Sequence, residues 1–407
     1  MPHLSVLGFF AGGEEALKLP LAMLIVFGMA KLFGELAERA HLPSIAGEIV
    51  AGLVIGPGVL NWVQPDGFIH SLADLGVMFL LFRVGLEVRA SELVRVGGVA
   101  TLAALAGVVV PFVAGYALLS QFGAPTIEAT FVGAAMVATS VGITAKVLAE
   151  RGLLNHRASR IILVAAVIDD VLGLLVLAVV SSMAKGSVNF LQLSLTAVLA
   201  IGFVMIVVFW GVDTATRFLP WVKQRLRIAE ADFVLAIVIL FGLAVVSVYA
   251  GVAAIVGAFL AGMMLGESAS HRVHELTSGA AELLVPFFLV NIGLQLDPRT
   301  FADPATLWIS LAVFFAAVVS KLVGCGLGSW QLGRRDAIRV GAGMVPRGEV
   351  GMVVAQIGLS FGVVPQNIYA ATVFMSVMTT IVAPPLLKWA YRGEGRRETL
   401  EPATSHN

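Results

Sequence analysis

Residues 165–180 run AAVIDDVLGLLVLAVV, with Asp169 and Asp170 adjacent in the middle of an apolar stretch. Each ionised carboxylate in hydrocarbon costs at least about 2.5–3.5 kcal/mol, so the pair opposes insertion by roughly 5–7 kcal/mol. Apolar residues make up 58% of the 407-residue chain and charged residues 13%. The mean hydropathy is +0.95. That composition predicts an all-α polytopic membrane protein whose partner is the lipid bilayer. Formal charge is zero, with 26 Lys+Arg against 26 Asp+Glu, so nothing in it points to nucleic acid. The single cysteine, Cys325, lies in an apolar run and excludes an internal disulfide or a multi-cysteine metal site. MPHLSVLGFF lacks the basic start of a cleavable signal peptide.

A membrane crossing takes about 20 predominantly apolar residues. Thirteen such runs follow one another from 19–37 to 366–391; the fifth is 126–150, the sixth 157–183, the eleventh 304–332 and the twelfth 335–361. Basic residues on alternate connections test the count. Nineteen of the 26 Lys and Arg fall after odd-numbered runs or in the C-terminal tail, and three fall on the N-terminus or after even-numbered runs. The other four, Lys31, Arg83, Lys321 and Arg347, are inside runs. The separation predicts an N-terminus outside and a C-terminus in the cytoplasm.

AGLVIG at 51–56 returns as AGMMLG at 261–266, and LFRVGLEV at 81–88 returns as LVNIGLQL at 289–296, at offsets of 210 and 208. Seven runs separate each pair, and seven is odd, so the second copy is expected upside down. Inverted repeats commonly build a site from helices broken near the midplane. The repeat-equivalent fifth and twelfth runs are both interrupted, by ATSVGIT at 138–144 and MVPRGEVG at 344–351. Pro346 lacks an N–H and Gly348 loosens the chain, while Thr139 and Ser140 offer hydroxyls. The bland alternative is two ordinary kinks.

At about 1.5 Å per residue Asp169 lies about 18 Å into the sixth run. Glu349 is midway along the twelfth and Lys321 is interior in the eleventh. Intramembrane charges mark ion pathways or pair with one another. Neighbouring helical residues diverge by about 100°, so one aspartate can pair with Lys321 while the other faces a cavity. A purely structural acid–base cluster is the alternative. Carboxylate, hydroxyl and carbonyl oxygens suit a small hard cation. A carboxylate that binds either such a cation or a proton is sufficient for exchange. Adjacent aspartates on one helix cannot face each other as a protease dyad does, and no filter-like repeat suggests a channel. No enzyme activity and no cofactor are expected.

The segments PSIAGEIVAGLVIGPGVL at 43–60, LLFRVGLEV, ATSVGITAKVL at 138–148, ILVAAVIDDVLGLLVL at 162–177, AAIVGAFLAGMMLGE at 253–267 and MVPRGEVGMVVA at 344–355 resemble the monovalent cation:proton antiporter-2 family, most of all its NapA-type sodium/proton antiporters. The resemblance runs from about 19 to 391. It implies a homodimer exchanging Na+ or Li+ for H+, with K+/H+ exchange the alternative inside the family. It implies a core bundle over about 96–183 and 304–391 that moves like an elevator against a dimer domain over about 19–88 and 229–297, joined by a linking helix at 190–216. Residues 1–18 would then be an outer segment and 392–407 a cytoplasmic tail, in a bacterial-type inner membrane. Asp170 matches the main cation and proton site, and Asp169 the acid paired with Lys321. Thr139 and Ser140 match the first broken helix, and Glu349, beside Arg347, a core acid near the crossing. Arg83 departs from the apolar residue expected there. It is either a snorkelling arginine beside Glu87 or a cation that tunes ion access at the domain interface.

Overall fold

The computed structural model describes residues 14–392 apart from 41, 89, 185–189, 224 and 226–229. All but the first residue of the tail expected at 392–407, and most of the expected N-terminal segment, lie outside the described residues. Within them all regular structure is helical. The first half of the chain forms α1 (Glu14–Arg39), α2 (Ser44–Ile55), α3 (Gly67–Leu86), α4 (Ala90–Gln121), α5 (Thr126–Ala135), α6 (Val141–Glu150) and α7 (Arg157–Ala184). Next come α8 (Phe190–Ile206) and α9 (Val212–Lys223), joined by a π-helical turn at Val207–Gly211. The second half forms α10 (Ala231–Tyr249), α11 (Ala254–Leu265), α12 (His271–Leu294), α13 (Pro304–Gly328), α14 (Arg334–Gly343), α15 (Gly348–Ser360) and α16 (Gln366–Ala390).

Each of the thirteen apolar runs is thus occupied by one helix or, in the fifth, seventh and twelfth, by two in line. Nine helical stretches among the described residues are long and apolar enough to cross a bilayer by themselves. The helices α2 and α11 and the halves of the interrupted runs are shorter, and such helices survive at that depth only inside a bundle that satisfies their ends.

The repeats appear as packing. Gly52 of α2 meets Gly293 of α12, where a Cβ on either glycine would strike backbone: Val290 O for the first, Ile49 O for the second. Gly262 of α11 meets Gly85 of α3 in the same way, against Phe82 O and Phe259 O. Shifting the first set by 210 residues in α2 and back by 208 in α12 generates the second, so each copy's short helix packs on the other copy's long one. Helices α1–α3 and α10–α12 pack together, as do α4–α7 and α13–α16, with α4 lying against its repeat counterpart α13. The two groups meet where α3 touches α6 and α2 touches α16.

One expectation needs correction. The fifth run breaks at residues 136–140, upstream of most of ATSVGIT, and α6 already begins at Val141. Gly142 is therefore helical, and what its missing side chain permits is close packing of α6 on Val77 and Phe288.

Candidate functional site

Two short helices end and two begin at one crossing. The fifth run passes from α5 to α6 through residues 136–140, and the twelfth from α14 to α15 through 344–347. The two interruptions bind each other: Ser140 N–H donates to Pro346 O at 2.8 Å, and beside them the Thr144 hydroxyl, in the first turn of α6, donates to Gly343 O at the end of α14 at 2.6 Å. The Thr139 hydroxyl reaches Met344 O at a long 3.4 Å. Gly348 has φ +51°, a left-handed conformation that costs any other residue, and it presses against the Ser140 side chain.

Each carbonyl end at the crossing receives a buried cation. Lys321 of α13 is wholly buried, and its ammonium donates to Val137 O at 2.7 Å, Gly107 O at 2.9 Å and Asp169 Oδ1 at 2.9 Å. Three donors meet three acceptors, so no proton of the buried ammonium is left without a partner. Gly107 makes the room, since a Cβ there would overlap Cys325 Sγ and crowd the lysine. Arg347, also wholly buried, donates through Nη1 to Met344 O at 3.3 Å and through Nη2 to Ala317 O at 3.0 Å, and its backbone N–H donates to the Thr379 hydroxyl at 3.2 Å. A helix C-terminus carries partial negative charge, so each cation neutralises a helix end, and Lys321 pairs with a carboxylate as well.

Asp169 and Asp170 enter on α7. Asp169 is 1% exposed and spends one oxygen on Lys321, while its Oδ2 is buried with no hydrogen-bond partner. Asp170 is more accessible, at 9%. Thr139 and Ser140 are buried at the crossing as well. The pairing of one aspartate, Asp169, with Lys321 is therefore present. Glu349 falls in the first turn of α15, and its side chain lies outside the described residues.

Two features are missing from the sequence reading. Nothing marked Val137, Gly107, Ala317 and Met344 as the carbonyls that hold the two cations, because a backbone acceptor has no residue signature. Glu48, 3% exposed in the apolar run SIAGEIVAGLVIG, carries the same signal as Asp169, an acid among apolar residues, but only the fold shows what it meets.

Charged groups held at the crossing of two interrupted helices, inside an inverted-repeat bundle, define the broken-helix class of secondary ion transporter. A family model described as "Sodium/hydrogen exchanger, transmembrane" matches residues 22–393. The chain belongs to that family, as an integral multi-pass membrane protein. It is 34% identical to the Na(+)/H(+)-K(+) antiporter GerN of Bacillus cereus over 89% of this chain and 93% of the relative. It is 33% identical to the high-affinity Na(+)/H(+) antiporter NhaS3 of Synechocystis over 94% and 91%. The fold matches the sodium proton antiporter MjNhaP1 of Methanocaldococcus jannaschii with a TM-score of 0.70 at 16% identity, covering 96% of this chain and 100% of that one.

Proposed function

We propose that this chain exchanges Na+ for H+ across a membrane by alternating access, with Asp170 as the group that takes either ion. The observation that carries it is the Asp169–Lys321 pair, buried at the crossing of two broken helices beside a second, more accessible carboxylate. Thr139, Ser140 and Asp169 Oδ2 supply further oxygen to the cation. Na+ arriving at Asp170 draws Asp169 from Lys321, which then holds its proton against two carbonyls only. A buried ammonium without its anion is the form that desolvation disfavours, so Lys321 releases a proton in addition to the one that Na+ displaces from Asp170, and two protons exchanged for one Na+ make the cycle electrogenic. Arg347 remains at its carbonyls throughout, and Glu349 stays with the core near it.

The wider frame is thirteen crossings with the N-terminus outside and the C-terminus cytoplasmic in a bacterial-type inner membrane, and a homodimer formed through the α1–α3 and α10–α12 group. The core of α4–α7 and α13–α16 moves against that group, and the α8–α9 run links them. The name of GerN includes K+, which makes K+ the competing substrate. In proteoliposomes holding a pH dye, Na+ or Li+ should move protons more effectively than K+ at equal concentration. Asp170→Asn should reduce Na+-driven proton flux to the background of empty liposomes, since an amide neither titrates nor attracts a cation as strongly. Wild-type-like flux in that variant would sink the assignment.

A further inference from the structure

A cavity of about 460 Å³ opens between the two helix groups, lined from α1, α2, α3, α6 and α12 and facing the end assigned above to the cytoplasm. Its innermost acid is Glu48, 3% exposed, on α2. Lys31 of α1 stands 3.6 Å from Glu48 Oε1 and Lys146 of α6 stands 3.5 Å from Oε2. Lys31 and Glu48 belong to the same helix group, held by the close seating of Gly47 on Phe33 O. Lys146 belongs to the other, one turn beyond the Gly142 contact of α6 with Val77 and Phe288. The Glu48–Lys146 pair is thus an ionic contact across the boundary between the groups.

The third pair shows what the arrangement can do. Lys146 also lies 3.8 Å from Glu150, on its own helix. If α6 moves away from α2, Lys146 leaves with Glu150 and Glu48 stays with Lys31. Neither half is left with a bare buried charge, the condition that otherwise makes breaking such a pair costly. A purely stabilising bridge has no use for a second partner on each side, whereas a contact broken and remade in every cycle does.

We propose that Glu48 and Lys146 form a reversible latch that holds α6, and with it the helix crossing at Ser140, against the α1–α2 side until the cycle releases it. This rests on the alternating-access function above. The test uses the full-length protein in proteoliposomes, comparing Lys146→Gln with Lys31→Gln. Both remove one lysine from Glu48, but only the first cuts the contact between groups. Lys146→Gln should raise the maximal Na+-driven proton flux about threefold, the scale of one partly buried ion pair removed from a barrier, while Lys31→Gln leaves it within the error of wild type. Equal effects, no effect of either, or slower flux in Lys146→Gln would overturn the latch.

A second arm does not depend on rate-limiting steps. With Glu48→Cys and Lys146→Cys on a Cys325→Ala background, a short reducible bis-thiol linker should abolish flux and a reductant should restore it. Undiminished flux in the linked protein would show that α6 does not leave α2, which overturns the latch. Wild-type protein that moves no protons in response to Na+, Li+ or K+ would overturn the exchange function itself, a result distinct from either arm.

Discussion

Lys321 and Arg347 are both buried cations at helix carbonyl ends, but only Lys321 also holds a carboxylate, through Asp169 at 2.9 Å. That difference separates a residue that can trade its proton from one that neutralises a helix end. Lys321→Gln keeps hydrogen bonding to Val137 O and Gly107 O and removes the titrating group. Charge moved per Na+, from transport current on a solid-supported membrane beside dye-monitored proton flux, should therefore fall even where exchange survives. Unchanged charge per Na+ would make Lys321 a strut only. Melting temperature measured alongside separates that outcome from misfolding.

The broken helices are held at the level of the element by contacts that tolerate little change. Gly348 and Gly362 both have positive φ, +51° and +69°, but a Cβ on Gly348 would lie 2.5 Å from Ser140 Cβ whereas one on Gly362 meets nothing within 4 Å. Gly362→Ala should show backbone strain alone, about 1–2 kcal/mol, and keep its exchange rate. Gly348→Ala should be less stable still and lose exchange, because the Ser140–Pro346 contact must spread. Thermal melting with flux assays compares the two, and equal behaviour would show that the crossing tolerates a methyl group. A second element has an exposed, separately testable cap. Asp303 begins α13, accepting from the Thr306 hydroxyl at 2.7 Å and from the Thr306 and Ala305 amides. The Thr306 hydroxyl first, then those amides, hold its carboxyl below the usual carboxylate range. A folded pKa below the unfolded one stabilises at neutral pH, and the benefit fades only as pH falls from the ordinary value near 3.8 through the depressed one. Asp303→Ala should melt below wild type by a constant margin from pH 8 to 5, and the margin should shrink toward pH 3. A margin unchanged at pH 3 would remove the charge from the explanation.

Over the whole molecule, the alternation of basic residues fixes an expected sidedness that labelling can check. On a Cys325→Ala background, Gln64→Cys between α2 and α3 should react with an impermeant thiol reagent from outside. Glu267→Cys between α11 and α12 should react only from the cytoplasm. Both positions are exposed in the fold. Reversed labelling would overturn the orientation, and same-side labelling the count of crossings between them.

Hydropathy, charge placement and the shared offsets near 210 were enough to establish a polytopic helical chain, its inverted repeats and its two interrupted runs, because each is a property of residue order alone. The cost of Asp169 and Asp170 in hydrocarbon is equally visible in residue order. The exact bounds of the first break were not visible: ATSVGIT overlaps it at 138–140, but α5 already stops at Ala135, and the extended chain after it finds its hydrogen-bond partner on Pro346, some two hundred residues away. The carbonyls around Lys321 and Arg347, the Gly52–Gly293 and Gly85–Gly262 contacts and the sharing of Glu48 between two lysines are equally long-range. Sequence order shows which residues must avoid lipid; only tertiary packing decides which distant backbone oxygen or side chain satisfies each of them.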